Sequence, residues 1–174
     1  MKFNDYEIDK VVPLNSVSYY DFLIEHIKKA KKTIKACIFI INPICSEDTD
    51  LKVRQLIKEL GAAKKRKLDV RIIQSGASTA QIYVANYVAH QYLKLYGINA
   101  RIFSAKTKDH LHSKYCLIDH NISILGSSNW SPGGFARNNE DNVAIFSKDI
   151  NIALAKRFES NYKTSKPSFN LNSI

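Results

Sequence analysis

His112-Ser-Lys-Tyr-Cys-Leu-Ile-Asp119, followed by Gly126-Ser-Ser-Asn129, is the stretch that decides both the fold and the chemistry. The first segment alternates and is rich in β-branched, aromatic and aliphatic residues, as a strand would be. Residues two apart on a strand share a face, so His112 and Lys114 point the same way. Ile122-Ser-Ile-Leu-Gly126 reads as a second strand, with Asp119-His-Asn-Ile122 between the two and Asn121 tolerant of a left-handed backbone. A two-residue turn at His120-Asn121 would close a hairpin. Asp119 would then face Ile122, Lys114 would face Ser127, and His112 would face Asn129. In that register one sheet face carries an imidazole, an ammonium, a hydroxyl and a carboxamide, a set suited to an anionic phosphoryl group. A slip of one residue would send half of these groups to the other face.

The pattern His-x-Lys-x(4)-Asp-x(6)-Gly-Ser-x-Asn resembles the signature of the phospholipase D superfamily, and His112, Lys114, Asp119, Gly126, Ser127 and Asn129 fill every fixed position. Asn129-Trp-Ser-Pro and Asn138-Asn-Glu140 are similar to the same family. The resemblance implies that His112, Lys114, Asn129, Glu140 and Asp119 carry catalysis, and that Lys114, Ser127 and Asn129 bind the phosphate. A catalyst of phosphodiester cleavage must shield the non-bridging oxygens, supply a nucleophile and protonate the leaving oxygen. Neutral His112 can attack phosphorus. One imidazole cannot also be the acid on the opposite side, and the chain has one copy of the motif. In the family two copies meet at one site, so the resemblance implies a homodimer with paired histidines. It also implies a site that works without a metal or other cofactor. Glu140 reads as the group that fixes a histidine tautomer. Asp119 has the strand parity that points away from substrate and reads as a supporting residue carried along with the motif.

Composition narrows the partner. At 174 residues and 45% hydrophobic, the chain suits one globular domain, with about 163–174 a polar, loosely packed tail. A formal charge of +10 favours a polyanion, nucleic acid or an anionic membrane surface. Three cysteines, Cys37, Cys45 and Cys116, give no even disulfide framework and read as buried thiols. No run approaches the length of a membrane span, and the N-terminus lacks an apolar leader core, so the expectation is a cytoplasmic chain.

The rest of the chain alternates helix and strand. Val11 to Leu14 reads as an edge strand, and Asn15 or Ser16 caps a helix along Tyr19, Phe22, Leu23 and Ile27. Thr33 to Ile41 is a buried strand. Ser46 to Asp50 starts a second helix that ends in Lys64 to Lys67, a basic run read as a solvated helix end. Strands at Leu68 to Ile73 and Ile98 to Phe103 flank a third helix stopped by Gly97. A polar loop with Lys106, Lys108, Asp109 and His110 precedes the motif. A strand from Glu140 to Phe146 and a helix capped by Asp149 close the chain. The expected fold is α/β, a mixed sheet with helices on both faces, as in the α-β-α sandwich of the phospholipase D family. Trp130 reads either as a stacking platform for a base or as packing beneath the site loop. His110, His112 and Cys116 suggest zinc only weakly, because a fourth ligand is missing.

The leading functional reading is a metal-independent nuclease acting on DNA or RNA. Its rivals are a phospholipase or phosphatidyl transferase with the same site, and a nucleic-acid-binding module without catalysis.

Overall fold

The computed structural model describes residues 5–44, 51–76, 79–103 and 111–169. These residues build one seven-stranded mixed sheet. The strands are β1 (Lys10–Leu14), β2 (Thr33–Ile38), β3 (Asp69–Ser75), β4 (Asn99–Phe103), β5 (Lys114–Ile118), β6 (Ile122–Gly126) and β7 (Asn142–Phe146). Their spatial order is β1-β7-β6-β5-β2-β3-β4. β2, β3 and β4 run parallel. β5 lies antiparallel to β2, and β6, β7 and β1 continue antiparallel. The motif strand β5 is therefore central, at the seam between the parallel and antiparallel halves.

Among the described residues four α-helices cover the sheet: α1 (Ser16–Lys29), α2 (Leu51–Lys65), α3 (Ala80–Leu95) and α4 (Lys148–Thr164). Alternation along the strands assigns the faces. Ile34, Ala36 and Ile38 of β2 and Cys116 and Ile118 of β5 pack with Leu23, Leu56 and Leu93 of α1, α2 and α3. Cys37, Tyr115 and Leu117 point the other way and pack with Phe158 of α4. The expected fold class, a mixed sheet with helices on both faces, is the observed one. Among the described residues no helix is long and apolar enough to cross a membrane.

Local signals placed most ends. Asn15 and Ser18 form a reciprocal capping box on α1. Thr79 caps α3, and Gly97 follows its end with a left-handed φ of 70°. The cap of α4 is Ser147, with Asp149 inside the first turn, so the expected Asp149 cap is two residues late. The expected start of α2 at Ser46 to Asp50 and the Lys106 to His110 loop lie outside the described residues. The basic run at the end of α2 is more than a solvated end, because the Arg66 guanidinium donates to the carbonyls of Ile27 and Lys28 and ties α1 to α2.

The tail differs from expectation. Lys163 still belongs to α4. Lys166 then pairs with Ile102 on the edge strand β4. His90 donates from Nε2 to the Pro167 carbonyl at 3.1 Å, and Phe169 sits edge-on to Tyr83, Tyr87 and His90. An unpaired sheet edge and an aromatic face on α3 give residues 165–169 somewhere to dock, which composition alone does not reveal.

The hairpin register is shifted by one residue from the expected one. Ile118 faces Ile122 and Tyr115 faces Leu125. The turn has three residues, with Asp119 at φ 51° and His120 at φ 62°. A two-residue turn needed only the Asn121 signal; Asp is also tolerated in the left-handed region, and here it is held there by the bonds its carboxylate makes.

Candidate active site

The site forms at the N-terminal end of β5, beside the carboxyl end of β2, the edge where open α/β sheets place their ligands. Lys114 is half-buried and His112 is exposed just before the strand. The Lys114 ammonium donates to the His112 carbonyl at 2.9 Å and lies 3.3 and 3.4 Å from the two ring nitrogens. Phe39, just past β2, backs both groups. Its ring centroid is 4.7 Å from that of His112, and Lys114 Nζ sits 5.2 Å over its face. Burial pushes the Lys114 pKa below that of an ordinary lysine, with the Glu140 carboxylate pulling the other way.

Asn129 reaches this edge from the loop after β6. Its Oδ1 accepts from the Ile40 backbone N–H at 3.1 Å, which turns the NH2 group into the side chain's remaining donor. Phe39 and Ile40, neighbours in sequence, thus position His112 and Asn129. Their own strand end is tied down from α3. The buried Asn86 accepts from Ile41 N–H at 2.8 Å and donates to the carbonyls of Phe39 at 2.9 Å and Ser75 at 3.0 Å.

Ser127 and Glu140 bind each other. The Ser127 hydroxyl donates to Glu140 and accepts from Asp141 N–H at 3.1 Å, while Asn138 donates to the second Glu140 oxygen at 2.9 Å. The expected pairing of Lys114 with Ser127 across the hairpin does not occur, because the shifted register carries Ser127 out of the ladder. Its proton goes to Glu140 in place of a free phosphate-facing donor. Glu140 in turn is held by Ser127 and Asn138, and no bond to His112 of the same chain forms.

Asp119 stands apart from this cluster, at the far end of β5. Its carboxylate accepts from the backbone N–H groups of Lys31 at 2.6 Å, Lys32 at 2.7 Å and Thr33 at 3.0 Å. Burial raises its pKa, but the bonds from Thr33, Lys31 and Lys32 outweigh that and the net shift is downward. The carboxylate fastens the β5–β6 turn to the start of β2, away from the edge that holds His112, Lys114 and Asn129. Trp130 is fully buried and its Nε1 donates to Tyr19 at 3.0 Å, which settles it as packing under the loop and not as a base platform. Cys116 is also fully buried, on the core face of β5.

Phe39 was missed by sequence reasoning. The available signal was its place at the carboxyl end of an apolar strand, where ligands meet open sheets. Asn86 gave no signal beyond a polar residue on the buried stripe of a helix.

Chemically, the arrangement offers a fixed cation, a directed amide donor and an imidazole at one sheet edge. That is the equipment for a phosphodiester. The comparisons agree. The family model described as cardiolipin synthase, PLD-like domain, matches residues 23–162. The chain belongs to this phospholipase D-like family. Among solved structures it is similar to Nuc from Salmonella typhimurium, a phospholipase D family member, with a TM-score of 0.73 and 21% identity over 92% of this chain and 97% of that one. It is similar to NucT from Helicobacter pylori, with a TM-score of 0.68 and 18% identity over 90% and 98% of the two chains. The phosphatidylserine synthase of Haemophilus influenzae matches with a TM-score of 0.70 and 13% identity, over 90% of this chain and 39% of that one. No curated protein sequence matches the chain.

Proposed function

We propose that this protein is a metal-independent phosphodiesterase that cleaves nucleic acid at a site completed by a second copy of the chain. The observation that carries the proposal is the edge cluster of His112, Lys114 and Asn129, with one imidazole among the described residues where the reaction needs two. His112 attacks phosphorus in line, forming an N–P bond as the P–O bond to the leaving oxygen breaks. His112 of the second copy gives its proton to that oxygen. It then takes a proton from water, whose oxygen displaces the imidazole and leaves a phosphate monoester. Lys114 and Asn129 hold the anionic oxygens throughout. Ser127 and Asn138 preset Glu140, whose carboxylate is suited to orienting an imidazole other than that of its own chain.

Charge and the likeness to Nuc and NucT support nucleic acid as the substrate. The net charge is +10. The chain matches Nuc and NucT over nearly their full length, but only 39% of the synthase. The family description and the likeness to a phosphatidylserine synthase favour a second reading, transfer of a phosphatidyl group at the same residues.

The test is turnover in EDTA of labelled single- and double-stranded DNA, RNA and phosphatidylcholine, with His112→Ala alongside. Nucleic-acid cleavage that survives EDTA and vanishes in the variant is expected. Turnover of lipid alone would replace this reading with the second, and strand binding without any turnover would leave only a binding module.

A further inference from the structure

The face built by α1, α2 and α3 carries a groove that the cleavage site does not use. Its wider part, about 590 Å³, is lined by Tyr20, Tyr92 and Tyr96 and by Lys52, Arg54 and Lys58. A narrower part of about 390 Å³ continues past Lys58 and Tyr96 to Lys65. Lys52, Gln55, Lys58, Ala62 and Lys65 recur at three- and four-residue steps, so they form one stripe along α2. At 1.5 Å per residue the stripe from Lys52 to Lys65 is roughly 20 Å long.

Cations and rings are interleaved along this groove. Lys52 Nζ lies 4.8 Å over Tyr20, and the Arg54 guanidinium 5.8 Å over Tyr92. Tyr96 lies so close to α2 that a Cβ on Gly61 would come within 2.5 Å of its ring. A glycine inside a helix costs about 1 kcal/mol against alanine, so its place here is explained by that ring. Among the described residues Glu59 is the one carboxylate lining the groove, and it already faces Lys28 at 3.7 Å. Lys58 and Lys65 have no carboxylate partner among the described residues. The opposite face differs: there Lys35 and Arg71 each pair with Glu159 at 2.8 Å. One end of the groove touches the loop that carries Asn129. Lys52 donates to the Phe135 carbonyl at 3.3 Å, and the neighbouring Gly134 packs so tightly on the Asn129 carbonyl that no side chain would fit.

We infer that this groove is a second binding track for single-stranded nucleic acid, with phosphates on Lys52, Lys58 and Lys65 and bases against the tyrosine rings. Uncompensated cations beside half-buried tyrosine rings suit a strand whose bases are unstacked from a partner, and a duplex would hide those bases. The inference rests on the nuclease reading and deepens it, by naming the single strand as the polymer that leaves the cleft along α2.

The test measures binding apart from cleavage. Labelled oligothymidylate and oligouridylate are titrated in EDTA over a salt series with His112→Ala protein, and with the same protein carrying Lys58→Ala and Lys65→Ala. Each lost phosphate contact on a single strand removes about 0.7 from the slope of log affinity against log salt, so the slope falls by about 1.4. Affinity at low salt drops about tenfold or more. Tyr92→Leu lowers affinity with the slope kept, since stacking releases no counterions. An unchanged slope in the double variant overturns the track, as does failure of the His112→Ala parent to bind either strand. Loss of binding to phosphatidylglycerol vesicles with strand binding intact assigns the groove to a membrane surface and overturns it too. Failure of the nuclease reading shows separately, as absence of cleavage by the unmodified protein.

Discussion

The two ends of β5 carry residues from one motif and do opposite things. At one end His112 is exposed and Lys114 half-buried, with bonding capacity left over. At the other end the Asp119 carboxylate is filled by three backbone N–H groups of the chain entering β2. A strand of five residues separates them by roughly 16 Å. Unfilled polar groups beside a cleft are equipment for a ligand, whereas filled ones are equipment for the fold. A sequence motif does not distinguish the two.

The comparison breaks most visibly at the open end. His112→Ala should reduce nucleic-acid cleavage by at least about a thousandfold, and Lys114→Ala by about a hundred- to a thousandfold. Neither should shift the melting temperature measurably, since the exposed imidazole contributes little to stability and removing the half-buried ammonium also removes its desolvation cost. A cleavage assay beside a thermal melt reads both effects. At the closed end the expectation reverses. Asp119→Ala should lower stability by about 2–3 kcal/mol, through three charge-assisted bonds lost to partly exposed N–H groups. Turnover at low temperature should stay within a few fold of the parent, as a denaturant midpoint and a rate would show together.

Acid sharpens the contrast between fold and site. The folded pKa of Asp119 lies below its unfolded value, so its contribution is complete above the model-peptide value of 3.8 and fades as pH falls through the folded pKa. His90 works in a higher window. Burial lowers its pKa, against the bond to Pro167, with Lys94 adding to the lowering, so the neutral ring belongs to the folded state. The unfolded chain then takes up a proton first, and stability falls as pH drops below about 6.5. Its Nε2 donates to Pro167 and its buried Nδ1 has no partner among the described residues, so residues 165–169 should loosen in that window. A melt series from pH 7.5 to 5 should show a step that His90→Gln flattens. The smallest effect should be Phe169→Ala, about 1 kcal/mol, because its half-buried ring packs against three others on one side only.

Much of this was legible in the sequence, and apart from the α4 cap, expected two residues late at Asp149, the failures share one cause. Apolar periodicity and local stops gave α1, α3 and most strands, since Asn15 and Gly97 act within a few residues of where they stand. The motif also marked Lys114, His112 and Asn129, which the fold brings to one sheet edge. The misreadings concern partners distant along the chain. Asp119 enters a left-handed turn because Lys31 to Thr33 hold its carboxylate, and that adds the third turn residue and shifts the register. Ser127 then meets Glu140 instead of Lys114. Phe39 and Asn86 matter through contacts across the sheet, and the tail docks because β4 presents an open edge. None of these leaves a periodic or local trace.

The most direct test of the account is a paired measurement on His112→Ala and Asp119→Ala: cleavage of single-stranded nucleic acid in EDTA at low temperature, and the unfolding midpoint of the same samples. The account predicts that His112→Ala unfolds with the parent and does not cleave, while Asp119→Ala unfolds earlier and cleaves. Cleavage by His112→Ala at the parent's rate would contradict it.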